Sequence, residues 1–124
     1  MMKKLLITCI GVLALAGCYN DKAEELYPSN AAACDTATVS FTTDILPILQ
    51  QKCATSGCHD VTTIQSGYDF SKYSGAKLSV TNNKLLGVIR WESGFSQMPK
   101  AMPKLDDCSI NKITRWINMG ANNN

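Results

Sequence analysis

The sequence of 124 residues is poor in several things, and each shortage removes a class of function. It has one histidine, His59. Any site needing two imidazoles from one chain is therefore excluded, whether as paired ligands or as an acid–base partner. It has little excess charge. Twelve Lys and Arg stand against ten Asp and Glu, and the counts are equal once Lys3 and Lys4 are set aside. Nucleic-acid binding needs a basic face, so a polyanion is not an expected partner. The apolar stretch Leu5 to Ala16 is shorter than the roughly 20 residues a membrane-spanning helix takes. Strand signal is weak, with Ala37 to Phe41 the one candidate, and no internal repeat is visible. The length suits one domain.

What is present begins with a targeting pattern. A basic start, Met1-Met2-Lys3-Lys4, precedes the apolar stretch, which ends in Leu15-Ala16-Gly17-Cys18. That ending resembles the bacterial lipobox. Residues 1–17 are then expected to be a cleaved lipoprotein signal peptide and Cys18 the lipidated first residue, with a buried apolar helix as the structural alternative. The expected location is the bacterial cell envelope, lipid-anchored and facing the periplasm or cell surface. Residues 18–40 carry Asp21, Glu24, Glu25, Pro28 and Ser29 without a core-forming period, and read as a flexible tether.

The most informative stretch is Cys53-Ala-Thr-Ser-Gly-Cys58-His59. Two thiols can add to the two vinyl groups of one haem, and a histidine directly after the second cysteine is delivered to the iron as an axial ligand. The usual spacing is C-x-x-C-H; here four residues separate the cysteines. The two extra residues widen the loop without moving His59 relative to Cys58, and Gly57 tolerates the backbone angles of a tight turn. A lone histidine is ordinarily structural, but its place after a cysteine pair in an exported chain favours the haem reading. The sixth ligand is then a methionine, a lysine, water or nothing. A thioether favours Fe(II) and raises the potential. Met98 and Met102 each precede a proline in a loop, whereas Met119 is expected in the core. A haem between His59 and such a methionine implies an apolar slot lined by Cys53 and Cys58.

Two rivals use the same residues. Cys53, Cys58, His59 and Cys108 could form a structural zinc site, though adjacent Cys58 and His59 suit one tetrahedral ion poorly. A five-coordinate haem enzyme or sensor would need acid–base groups on its open side, and no second histidine exists for that part. Of the six cysteines, Cys9 leaves with the signal, Cys18 takes lipid, and Cys53 and Cys58 take haem. Cys34 and Cys108 remain. In an oxidising compartment they are expected to pair as a disulfide, the alternative being two unpaired thiols.

The periodicity predicts an all-α domain. Thr42 to Cys53 reads as the first helix, with Asp44 as N-cap and Pro47 in the first turn. Ser71 to Leu78 reads as a short helix weakened by Gly75, and Asn82 to Trp91 as a better one capped by an asparagine. Glu92 to Leu105 is a loop. Asp106 or Asp107 caps the last helix, with Ile110, Ile113, Trp116 and Ile117 on its apolar side and Gly120 ending it. Residues 122–124 read as a frayed tail.

Taken together, the cysteine motif, Gly67-Tyr-Asp-Phe-Ser-Lys-Tyr73, Lys84-Leu-Leu-Gly-Val-Ile89, Met98-Pro99 and Ile113-Thr-Arg-Trp-Ile117 with Gly120-Ala121 resemble the planctomycete-type cytochrome c domain. This is a branch of the class I c-type cytochromes whose members often carry four residues between the haem cysteines. The resemblance covers residues 41–121. It implies a small class I cytochrome c fold, its first and last helices packed across one covalent haem c. It implies an electron carrier rather than an enzyme, serving redox partner proteins. In that family the axial methionine opens a Met-Pro segment before the final helix, with a leucine near the helix cap. Met98-Pro99 with Leu105 fits, and Met102-Pro103 is the runner-up. Lys100-Ala101 departs from the Pro-Gly-Gly-like stretch common there.

Overall fold

Helices make up the regular structure of the described residues, and no strand forms among them, as the periodicity predicts. The computed structural model describes residues 34–124. The expectations for the signal segment, for lipidation of Cys18 and for the tether before Cys34 lie outside the described residues. A π-helical turn, Phe41–Ile45, runs into α1, Leu46–Lys52. A short 3-10 turn at Gln65–Gly67 precedes α2, Tyr73–Thr81, and α3, Leu85–Arg90; α4 is Asp107–Asn118.

The wide first turn has a cause in Pro47. Proline has no N–H for the carbonyl four residues back, and its ring crowds that carbonyl. Here Ile45 N–H reaches Ser40 O at 3.3 Å and Leu46 N–H reaches Phe41 O, one residue further than in an α-helix. Asp44 does not start the helix as the sequence suggested. It lies inside the turn, where its Oδ2 accepts from Ser40 N–H at 3.1 Å and its Oδ1 from Lys112 Nζ at 2.8 Å. The carboxylate thus reaches back to an unpaired helix-start donor and also ties the first turn to α4.

Around this joint sits the core. Phe41, Ile45 and Leu49 meet Ile110, Ile113 and Trp116 of α4, with Leu85 and Ile89 of α3 completing it. Phe41 lies 5.4 Å from Trp116 and edge-on to Tyr73 at 5.1 Å, between ring centroids. Asp106 caps α4, accepting from Ser109 N–H at 2.9 Å and from Ser109 Oγ at 2.7 Å. Arg90 Nη2 donates to Thr114 Oγ1 at 2.8 Å and joins α3 to α4.

Several boundaries differ from expectation. Residues 34–40, read as the end of the tether, are tied down: Cys34 and Cys108 form the expected disulfide and Val39 is in the core. The strand candidate there is absent because Val39 and Phe41 are buried as parts of a helix entry. Asn82 ends α2 and Asn83 takes a left-handed φ of 53°, so Lys84 occupies the N-cap of α3. Met119 is 39% exposed and not a core residue.

The asparagines expected to fray instead fold back. Asn122 O accepts from Trp116 Nε1 at 2.8 Å. Asn124 O accepts from Thr42 N–H at 3.0 Å, and Asn124 Oδ1 from Phe41 N–H at 2.8 Å. The first turn of a helix leaves N–H groups without internal partners, and the tail supplies acceptors for them.

Candidate functional site

The motif begins where α1 stops. Cys53 is its C-cap, 8% exposed, with its N–H on Leu49 O at 2.8 Å. Burial is the main reason that its thiol pKa is pushed up to about 12, with the nearby Cys58 thiol adding to the shift. Cys58 is exposed, and the two remain free thiols, not bonded to each other. The chain between them turns back on itself: Cys58 N–H reaches Thr55 O at 3.0 Å, and Gly57 takes a φ of 82° that suits glycine.

His59 is held through its backbone on both sides. Its N–H donates to Cys53 O at 3.1 Å, and its carbonyl accepts from Phe70 N–H at 2.9 Å. The half-buried imidazole lies against Phe70, ring centroids 4.8 Å apart, with Tyr68 at 6.3 Å. Nδ1 sits 3.3 Å from the Tyr68 carbonyl. A carbonyl oxygen only accepts, so Nδ1 carries the proton in this bond. A neutral ring with this hydrogen bond presents its lone pair on Nε2, the arrangement by which a partner on one ring nitrogen prepares the other for a metal.

Asp60 follows His59, and residue-type reasoning passed over it. Its Oδ1 accepts from the N–H groups of Thr62 and Thr63, each at 2.7 Å. Its Oδ2 accepts from Gly57 N–H at 2.9 Å and from Thr63 Oγ1 at 3.2 Å. These donors, Thr63 N–H first, hold its pKa below the ordinary carboxylate value. The signal for it was an aspartate with two threonines just beyond, the pattern of a side chain that bonds the backbone two residues on.

The methionines separate by environment. Met98 is half-buried and its main chain is pinned: its N–H donates to Val88 O at 3.0 Å, and its carbonyl accepts from Trp91 Nε1 at 2.9 Å. Trp91, also overlooked in the sequence, ends α3 with a left-handed φ of 60° that turns its indole toward this loop. Met102 is 43% exposed and lines a concavity of about 370 Å³ with Trp91, Pro99 and Lys100. A second concavity, about 240 Å³, lies over α3 between Leu86, Phe95 and Ile117. Cys53, Cys58, His59 and Met98 line neither. The slot expected beside His59 is not one of these two, and Phe70 packs against the ring there.

The donor set nonetheless suits a haem: two free thiols bracket a short loop, and an imidazole with Nε2 as its lone-pair nitrogen follows directly. It suits zinc less. Cys108 is bonded to Cys34, which removes the third thiolate of that set. Among the described residues no group of three or more His, Cys, Asp or Glu is placed to hold a metal ion. Comparison with family models, with curated proteins and with solved structures finds no match to this chain.

Proposed function

We propose that this chain is a monohaem c-type cytochrome, lipid-anchored through Cys18 in the bacterial cell envelope, that carries single electrons between redox partner proteins. The observation that carries the reading is the fixed imidazole: Nδ1–H donates to the Tyr68 carbonyl and leaves Nε2 free as the ligating nitrogen, one residue from a free exposed thiol. Cys53 and Cys58 would hold the haem through thioethers, each S–H adding across one vinyl double bond with no net oxidation and no leaving group. The bound haem supplies the Fe(III)/Fe(II) couple. His59 offers the nitrogen ligand and Met98 the sulfur. Trp91 and Val88 fix the Met98 backbone, so little ordering is left for the moment of ligation. The packing of α4 on the first helical turn is in keeping with a class I cytochrome fold.

The test is the absorption spectrum of the exported protein. Low-spin c-type bands that stay with the polypeptide after denaturation are expected, and a colourless protein refutes the reading. Met98→Ala should move the spectrum toward high spin and lower the potential, while Met102→Ala leaves both unchanged. The reverse pattern assigns the sulfur ligand to Met102. If a low-spin spectrum survives both substitutions, neither Met98 nor Met102 is the sixth ligand; a wild-type spectrum that is already high-spin makes the five-coordinate haem protein the better reading.

A further inference from the structure

We infer that Asp60 is the positioning residue of the motif: its carboxylate closes the loop around Cys58 and His59 and holds the pair in register with Cys53 for haem attachment. The inference rests on the haem reading above and adds a residue and a role to it.

The argument is geometric. Gly57 stands immediately before Cys58, and Thr62 and Thr63 stand shortly after His59. One carboxylate receives N–H groups from both flanks, Gly57 at 2.9 Å on one side and Thr62 and Thr63 at 2.7 Å on the other. The Asp60 carbonyl also accepts from Ile64 N–H at 3.0 Å, and Cys58 O accepts from Gln65 N–H at 3.0 Å. The turn is specified closely enough to hold Ile64, a β-branched residue, at a φ of 45°. The spacing explains why such a clasp is useful. Four residues between the cysteines give a longer loop than C-x-x-C, and the loop contains a glycine. Both features enlarge the range of positions open to Cys58 relative to Cys53. Asp60 fixes the 57–63 turn with hydrogen bonds to an ionised acceptor, which are stronger than neutral ones, and His59 N–H on Cys53 O at 3.1 Å ties that turn to Cys53.

Asparagine separates the roles of the two oxygens. Its side chain offers one acceptor oxygen and one donor nitrogen. In Asp60→Asn the oxygen can serve the threonine amides or the Gly57 amide, not both. Asp60→Ala loses all of these bonds.

The experiment uses the full chain, exported in a host that attaches haem. Covalent haem per polypeptide and the midpoint potential are measured for wild type, Asp60→Asn, Asp60→Ala and Asp106→Ala. The last removes the cap of α4 and serves as the control for lost stability. A second arm follows amide hydrogen exchange at Gly57, Thr62 and Thr63 in haem-free protein. Losing a hydrogen bond to a charged group should speed Gly57 exchange by about tenfold. The two Asp60 variants should fall in haem content and shift in potential, and Asp106→Ala should do neither. Asp60 variants with wild-type haem content and potential overturn the proposal, as does a fall matched by Asp106→Ala. Wild-type protein without covalent haem overturns the haem reading itself. The exchange arm then still decides whether Asp60 clasps the loop: unchanged Gly57 exchange in Asp60→Ala removes that role as well.

Discussion

Replacing Gly75 with alanine sets two physical terms of opposite sign against each other. Gly75 is buried inside α2, and by helix propensity alone alanine should stabilise that helix by about 1 kcal/mol. Packing opposes it. A Cβ at Gly75 would fall on the main chain of Asp69, overlapping its carbonyl group and lying 2.7 Å from its nitrogen, against roughly 3.5–4 Å for an ordinary carbon contact. Main chain cannot rotate aside as a flexible side chain can, so the 68–70 segment or the helix must move by about 1 Å. The two residues flanking Asp69 are the ones that hold His59: Tyr68 by its carbonyl at 3.3 Å and Phe70 by its N–H at 2.9 Å. A shift of that size carries both beyond normal hydrogen-bond length.

The cost is therefore about 1–3 kcal/mol for overpacking, with about 0.5–1.5 kcal/mol for each hydrogen bond weakened. After the propensity gain, Gly75→Ala should be destabilising by about 1–5 kcal/mol. For a domain of this size that lowers Tm by roughly 4–40 °C. Circular dichroism with heat and with urea measures it on the haem-free protein. On the proposed haem reading, the same variant should weaken the low-spin spectrum, because the imidazole loses its orienting partner. A Tm that stays level or rises would refute the claim that the close approach of Gly75 to Asp69 positions His59.

Three further outcomes are expected. Reduction of Cys34–Cys108, a sequence separation of 74, releases a long loop and should cost about 4 kcal/mol by the chain-entropy estimate; an unmoved denaturant midpoint would show that the bond does not constrain the unfolded chain. Asp44 and Asp106 have lowered folded-state pKa values, through the Lys112 hydrogen bond and the Ser109 N–H respectively, so their stabilisation is complete above the unfolded carboxylate range and is lost as pH falls through the folded values. Urea midpoints should stay level from about pH 7 to 5 and fall below about pH 4, and Asp106→Asn should flatten part of that slope. Tyr68→Phe removes the contact from Asn82 Nδ2 to the phenol, 3.2 Å long, but leaves the carbonyl that orients His59; the haem spectrum should be unchanged, and a marked change would mean that the side chain, not the backbone, sets the imidazole.

The parts of the fold legible in the sequence were those that depend on residue type at a fixed period. The apolar side of α4 came from Ile110, Ile113 and Trp116, and its cap from Asp106. Pairing of Cys34 with Cys108 followed from counting the cysteines that had no other use. What stayed hidden depends on tertiary partners. Asp44 looks like a helix cap, and only the presence of Lys112 and a free Ser40 N–H shows why it sits one turn inside. Gly75 looks like a weak point in a helix, and only the Asp69 backbone shows that nothing larger fits. Residues 122–124 look like a polar end, yet Asn122 is held by the Trp116 indole and Asn124 by donors more than 80 positions away in the chain.

The same distinction holds for the two proposed haem ligands. His59 and Met98 are each gripped by their own N–H and carbonyl, and the partners are themselves largely main chain: Cys53 O, Phe70 N–H and Val88 O, with the Trp91 indole the exception. A grip of this kind leaves Nε2 and Sδ uncommitted, whereas a side-chain clamp on either residue would compete for the atoms that the proposed ligation needs. It also changes which substitutions matter. Main-chain partners do not depend on side-chain identity, so exchanges at positions such as Val88 or Tyr68 leave the grip standing provided the packing survives. They do depend on the path of the chain, which is fixed by the left-handed turns at Ile64, Ser66 and Trp91 and by the φ of 82° at Gly57. Insertions or deletions in residues 60–67 or 92–97 therefore damage the site more than most single substitutions there, because a one-residue slip moves every donor and acceptor at once.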